Sequence, residues 1–318
     1  MTRPRISVAL CTYNGAAYLG EQLASIGAQT VRPDEIVVGD DGSTDDTSEM
    51  LARAMTILPQ LRLLPVGDHD GVRANFERTI ADTKGDVVFL SDQDDVWHPE
   101  RIAQTLLVFA ADPAIELVHS NARLIDGTGA SNGDSLLDRL GVDHATRTLL
   151  KDGGAFDTML RRNVVTGATV AVRRSLVERS LPFPTSWLHD EWLAIMAASQ
   201  GTSRLLDTDL IDYRLHGGNE VGAQRMTLTV RLSRLTEGRT SRNARLLSRA
   251  RALHDRLPSG PERDAVADKV THEEIRSSYP APRIARIPAI LRESRTGRYS
   301  RFGRGADDLV RDLLQPAR

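Results

Sequence analysis

Apolar positions along the first part of the chain alternate between two patterns. The short runs "RISVALC", "DEIVVGD" and "DVVFL" carry apolar or small residues at nearly every position, as strands buried on both faces do. Between them, "YLGEQLASIGAQT", "SEMLARAMTIL" and "VRANFERTIADT" space their apolar residues three and four apart, which predicts amphipathic helices. "LRLLPVG" reads as one more short strand, and "DDGSTDDT" offers N-cap residues ahead of the second helix. The resulting β-α-β-α-β-α-β order predicts an α/β domain with a mostly parallel sheet and helices on both faces. Leu188, Trp192, Ile195 and Met196 mark a later buried helical face, with Asp190 in its first turn. From residue 226 the pattern changes to Leu at helical spacing interrupted by Pro258, Pro261, Pro280, Pro282 and Pro288. The chain therefore divides into a catalytic-type domain, 1–225, and a mainly helical extension, 226–318.

Charge reinforces that division. The net charge of −2 conceals 20 Lys+Arg against 11 Asp+Glu in residues 226–318, and the reverse imbalance in the rest. At 318 residues, with 40% apolar and 26% charged positions, the chain has the composition of a globular protein. No run approaches the roughly 20 apolar residues that span a bilayer, and "MTRPRISVALC" passes directly into a strand without a signal-like segment, so a cytoplasmic location is expected. Cys11 is the only cysteine and has no partner for an internal disulfide, so it reads as a packed strand residue.

In open parallel sheets ligands collect at the carboxyl ends of the strands. The polar segments "CTYNG", "GDDGSTDDT", "HDG" and "SDQDD" all fall at such ends. One acidic turn would be an ordinary cap, but four converging on one crevice indicate a site. Asp92 and Asp94 share a side if the backbone stays extended, and paired carboxylates suit Mg²⁺ or Mn²⁺ completed by substrate phosphates. A solvated acidic turn is the competing reading, with Asp95 or His98 capping the helix in "PERIAQTLLVFAA".

"ISVALCTYNGAAYL", "DEIVVGDDGSTDDT", "GDVVFLSDQDDVWHPERI", "NVVTGATVAV", "HDEWLA" and "YRLHGGNEVG", in this order from Ile6 to Gly222, resemble the family-2 glycosyltransferases of GT-A (Rossmann-like) fold, especially their bacterial rhamnosyltransferase-like branch. The resemblance implies Asp94 as main metal ligand and Asp92 as a ribose or metal contact. It places Tyr13 against the nucleotide base, Asp41 on the base N3–H and Arg73 near the pyrophosphate or base. It makes Asp190 of His189-Asp190 the catalytic base, although a His stands where many members carry Glu and Glu191 is adjacent. His216 could approach the metal or diphosphate, and "TGAT" would line the donor sugar or acceptor side. The expected activity is inverting, metal-dependent sugar transfer from a dTDP- or UDP-linked donor, with dTDP-L-rhamnose the best match, to a cell-surface glycan or lipid-linked acceptor.

Two other functions compete. A sugar nucleotidyltransferase would want a Gly- and basic-rich loop after the first strand, which "CTYNGAAYL" lacks; a non-catalytic nucleotide-sugar-binding protein would not need the full set Asp92, Asp94 and Asp190. The Arg-rich extension, exemplified by "IRSSYPAPRIARIPAILRESRTGRYSRFGR", reads as a packed helical appendage, as a peripheral membrane contact or, least favoured, as a nucleic-acid surface.

Overall fold

The computed structural model describes residues 3–216 and 239–316. These fall into two compact units, Met1–Ala155 with Val164–Ala223, and Phe156–Asn163 with Gln224–Arg318. The first unit begins with β1 (Ile6–Thr12), α1 (Leu19–Gly27), β2 (Glu35–Asp40), α2 (Thr47–Ile57), β3 (Leu61–Leu63), α3 (Val72–Asp82) and β4 (Val87–Ser91). It continues with β5 (Val96–Trp97), α4 (Arg101–Ala111), β6 (Leu117–Asp126), β7 (Ser131–Ser135), α5 (Leu136–Arg139) and α6 (His144–Lys151). The segment α7 (Phe156–Arg161) belongs to the second unit, after which β8 (Val170–Arg173), α8 (Arg174–Ser180), α9 (His189–Ala198) and β9 (Ser203–Leu215) complete the first.

The strands form one sheet in the order β3-β2-β1-β4-β8-β6-β9-β5, with β7 on β6. β1 to β4 are mutually parallel, as their uninterrupted apolar runs predict. The other half is mixed: β8 runs antiparallel to both β4 and β6, β9 runs parallel to β6, and β5 pairs antiparallel with β9. Alternation then assigns the helices to faces. Ile6, Val8 and Leu10 pack with Leu19, Leu23 and Ile26 of α1, Leu51 and Ala54 of α2, and Ile102 and Phe109 of α4. On the opposite face Cys11 meets Thr79 of α3, its thiol buried. Gly39 lets α3 approach closely, because a Cβ there would strike the Thr79 and Asn75 side chains.

The parallel half is also stitched by buried polar groups. Glu35 accepts hydrogen bonds from Ser7 Oγ (2.6 Å) and the Lys84 amide, and it faces Arg62 at 3.5 Å. Burial alone would raise its pKa, but these partners outweigh it and hold Glu35 below the usual carboxylate range.

The second unit adds α10 (Arg239–Arg256), α11 (Pro261–Ser277), α12 (Arg283–Ser294), α13 (Arg298–Phe302) and α14 (Ala306–Leu314). Its arginines are not simply a basic coat. Arg276 donates to both oxygens of Asp312 (2.6 and 3.0 Å), Arg242 to Asp308 (2.7 Å) and Asp312 (3.2 Å), and Tyr299 to Asp312 (2.9 Å), all buried. Arg286, also buried, donates to the Asp312, Leu313 and Gln315 carbonyls and thereby caps the carboxyl end of α14. No helix among the described residues is long and apolar enough to cross a membrane.

Because the folded pKa of Glu35 is depressed, its contribution is present above its unfolded value of about 4.3 and lost as pH falls through the folded one. Glu35→Gln is expected to lower stability by roughly 1–3 kcal/mol near neutral pH. The gap from wild type should close as the pH falls below about 4, and urea unfolding followed across pH measures it.

Candidate active site

β4 delivers the acidic loop to the carboxyl edge of the sheet, but the loop does not stay extended. It bends at Gln93 and Asp94 before β5, so the simple alternation expected for Asp92 and Asp94 does not hold. The bend instead turns Gln93 onto the end of β1. There its Oε1 accepts from the Tyr13 amide (2.8 Å) and its Nε2 donates to the Tyr13 carbonyl (2.9 Å). This reciprocal pair ties the acidic loop to the "TYNG" loop, and Gly15 leaves room for it, since a Cβ at 15 would collide with the Gln93 amide.

The carboxylates of the loop have separate fates. Asp94 Oδ2 lies 2.7 Å from His216 Nε2 at the end of β9. Asp95 is buried and accepts from the Arg214 amide (3.0 Å), while its other oxygen has no hydrogen-bond partner. Asp95 therefore pins β9; α4 starts at Glu100 without a side-chain cap, and His98 only accepts from the Glu100 amide (3.2 Å). Asp92 makes no side-chain hydrogen bond among the described residues. Burial pushes its pKa up to about 8, the charges of Asp94 and Asp190 add to that, and Arg101 opposes it. Asp95 is pushed well above the usual range by burial first, then by Asp94 and Asp92.

Two buried arginines hold this concentration of negative charge. Arg101, 1% exposed, donates to the Leu90 (3.2 Å) and Ala168 (2.6 Å) carbonyls and lies 3.7 Å from the centre of the Trp97 ring. Arg214 wraps the loop from the other side: Nε donates to the Asp94 carbonyl (2.8 Å), Nη2 to Glu21 (2.5 Å), and the guanidinium lies 4.7 Å from the centre of the Tyr18 ring. Neither arginine stood out in the sequence, where Arg101 looks like a helix-start residue and Arg214 like a strand-end cation. Trp97, beneath Arg101, and Trp192, whose Nε1 donates to the Ser180 carbonyl (2.9 Å), are core residues rather than sugar platforms.

Asp190 enters from the first turn of α9. Its Oδ2 accepts from the Gly167 amide (2.9 Å) and its Oδ1 from the Glu191 amide (2.7 Å). "TGAT" thus orients this carboxylate, and the tight fit of Gly167 against His189 and Asp190 leaves little space for a side chain at 167. His189 itself is buried and stacked on Phe76 with ring centres 3.8 Å apart, and burial lowers its pKa to about 3. His189 thus packs as a neutral imidazole against α3.

At the first two strand ends, Asp41 accepts from the Asp70 (3.0 Å) and Gly71 (2.9 Å) amides, one on each oxygen. Gly71, at φ +86°, starts α3 and presents that amide. Tyr13 stacks on His69 of the same loop, ring centres 4.4 Å apart. Tyr13 and Asp41 are therefore brought together through residues 69–71, and each Asp41 oxygen keeps a further lone pair for a ligand N–H. Arg73 instead turns along its own helix to Glu77 (2.6 Å) and the Phe183 carbonyl (3.5 Å). Gly217 and Gly218 lie outside the described residues.

Asp94 and His216 supply one hard oxygen and one imidazole nitrogen, with Asp92 alongside, a donor set compatible with Mn²⁺ or Mg²⁺. Among the described residues no three acidic or histidine side chains are grouped so as to hold an ion.

Since Asp92 titrates higher in the fold, near 8, than in the unfolded chain, near 3.9, the folded state holds an extra proton between those values. Stability of the ligand-free protein should therefore fall as pH rises from about 5 to about 8, and Asp92→Asn should flatten that fall. Thermal melts of both proteins in metal-free buffer check the sign; an unchanged slope in Asp92→Asn would contradict it.

The chain matches the family model described as glycosyl transferase family 2 over residues 7–177. An uncharacterised glycosyltransferase of Nostoc sp. is 29% identical over 221 residues, 68% of this chain and 66% of that protein. The dTDP-rhamnosyl transferase RfbG of Shigella flexneri is 26% identical over 220 residues, 67% of this chain and 74% of that one. The chain spans just under two thirds of the Nostoc protein, and 59% of an uncharacterised Mycobacterium tuberculosis relative. Among solved structures, the fold resembles Staphylococcus aureus TarS 1–349 in complex with UDP-GlcNAc (TM-score 0.59, 15% identity, 97% of this chain and 89% of that one). It also resembles the Pyrobaculum calidifontis mannosyltransferase PcManGT in complex with GDP-Man and Mn²⁺ (TM-score 0.56, 20% identity, 98% and 79%). With the family model covering more than half its length, this chain belongs to glycosyl transferase family 2.

Proposed function

We propose that this glycosyltransferase transfers a single sugar, with inversion, from a nucleoside diphosphate donor to a hydroxyl of a growing cell-surface glycan or lipid-linked acceptor at the cytoplasmic side. The observation that carries the reading is that the Gly167 amide holds Asp190 Oδ2 (2.9 Å) while the next residue, Ala168, shares the Arg101 guanidinium with Leu90, two residues before Asp92. On this reading a base and a diphosphate-binding carboxylate pair face one crevice. The similarity to the Shigella dTDP-rhamnosyl transferase supports dTDP-L-rhamnose as donor.

Asp190 is the general base. Two backbone amides fix its carboxylate, so the oxygen that takes the acceptor proton is oriented before the acceptor arrives. Tyr13 offers a ring face to the base of the nucleotide, and Asp41 a carboxylate to its N3–H, beside His69. Arg73, whose Nη1 is engaged by Glu77, would approach the pyrophosphate or base from the start of α3. Asp94, Asp92 and His216 are the candidate ligands of a divalent ion. When bound, that ion supplies positive charge to the leaving diphosphate. Arg214, through the Asp94 carbonyl and the Asp95 carboxylate, holds the loop against β9.

The assignments separate experimentally. Asp190→Asn should retain metal-dependent donor binding and lower kcat roughly a hundred- to ten-thousand-fold. Asp94→Asn should lose the metal dependence of donor binding. Calorimetric titration with dTDP-rhamnose and Mn²⁺, together with nucleoside diphosphate release, distinguishes them, and the opposite pattern would mean the two roles are exchanged.

A further inference from the structure

Helix α12 is built with its polarity reversed. Its inward positions are Arg286 and Glu293, 1% and 3% exposed, with Ile290 between them. Its outward positions include Ile284 at 82% exposure, Ile287 at 40% and Leu291 at 53%. The inward pair has structural work: Arg286 caps α14, and Glu293 Oε1 lies 2.7 Å from His272 Nδ1, with Arg298 nearby. Those roles explain why charge is inside. They do not explain why three large aliphatic residues at i, i+3 and i+7 form a stripe in water, where serine or lysine would be less costly.

The neighbours of the stripe narrow what covers it. Arg283, Arg292 and Arg295 are exposed on or beside α12 and form no ion pair among the described residues, while the only acidic residue of the helix, Glu293, is buried. Helix α14, which packs on α12, exposes Val310 and Leu314 in turn while burying Asp308 and Asp312. An apolar stripe flanked by unpaired arginines suits a surface that is apolar within and anionic at its boundary. A second copy of the chain, docked face to face, would set these arginines against their own equivalents. A single helix projecting an isoleucine at 82% exposure is a convex feature that inserts into a soft boundary rather than a groove that receives a segment.

We infer that the outward face of α12, with Ile284, Ile287 and Leu291 entering the acyl boundary and Arg283, Arg292 and Arg295 at the headgroups, is a docking surface for an anionic lipid bilayer. The contact is interfacial and reversible, since the stripe is short. Each arginine near an anionic surface adds to the attraction, and salt weakens it.

Flotation of the full chain with phosphatidylcholine vesicles, and with vesicles also containing phosphatidylglycerol, tests the inference. The wild type should bind the anionic vesicles at least about tenfold more strongly than the neutral ones and release them in high salt. The Ile284→Ser, Ile287→Ser, Leu291→Ser combination should reduce binding to anionic vesicles roughly tenfold, with an unchanged melting profile. The Arg283→Gln, Arg292→Gln, Arg295→Gln combination, whose side chains are exposed, should remove the preference for anionic lipid and serves where the serine variant is unstable. Wild-type protein that stays unbound, or variants that float equally well, would overturn the inference. So would a wild-type dimer in sedimentation that the serine variant loses, because a second copy would then cover the stripe. Failure of sugar transfer would leave these readouts unchanged.

Discussion

The site depends on how negative charge is held at the end of β4. Asp92, Asp94 and Asp95 fill three of four consecutive positions, and Asp190 adds its field from α9. Bringing such groups together from water is unfavourable unless cations or protons compensate. The fold compensates from beneath with Arg101 and from the flank with Arg214, both buried, and these two also supply donors to the Leu90, Ala168, Asp94 and Asp126 carbonyls. Burial chiefly, with the charges of Asp94 and Asp190 adding to it, holds Asp92 above the usual carboxylate range. A cation entering this crevice would relieve that charge.

That arrangement also links distant parts of the first unit. β9 carries Arg214 next to its last residue and leads directly into His216, so one segment supplies both the cation that restrains the acidic loop and the imidazole that meets Asp94. α9 supplies Asp190, whose direction is set by the Gly167 amide ahead of β8. Gln93 clamps the loop to Tyr13, and Tyr13 in turn stacks on the loop that fills Asp41. The candidate donor-binding and catalytic groups are thus coupled through backbone hydrogen bonds more than through contacts with one another.

Much of this was legible in the sequence wherever the signal is local. β1, β2 and β4 have continuous apolar runs, and α1 to α3 have clear helical spacing, so the parallel half of the sheet followed directly. "SDQDD" announced a site because acidic residues at a strand end need a reason. The mixed half was not legible: β6 and β9 carry Arg123, Asp209 and Asp212 inside the strands, which breaks alternation, and their pairing joins residues about 90 apart. Arg101 and Arg214 resembled surface cations because burial of a charge depends on partners far along the chain. Two features of the second unit were hidden for the same reason. Residues 156–163 pack with the carboxyl-terminal helices, and several arginines that made 226–318 look basic are buried in ion pairs.

The most direct test of the central account, that this crevice accepts a nucleotide-activated sugar through carboxylates short of positive charge, is a thermal-shift panel of nucleotide sugars with and without Mn²⁺ or Mg²⁺. The account predicts that a dTDP-linked sugar stabilises the protein strongly only when the divalent ion is present. Absence of any shift with every donor, with or without the ion, would contradict it.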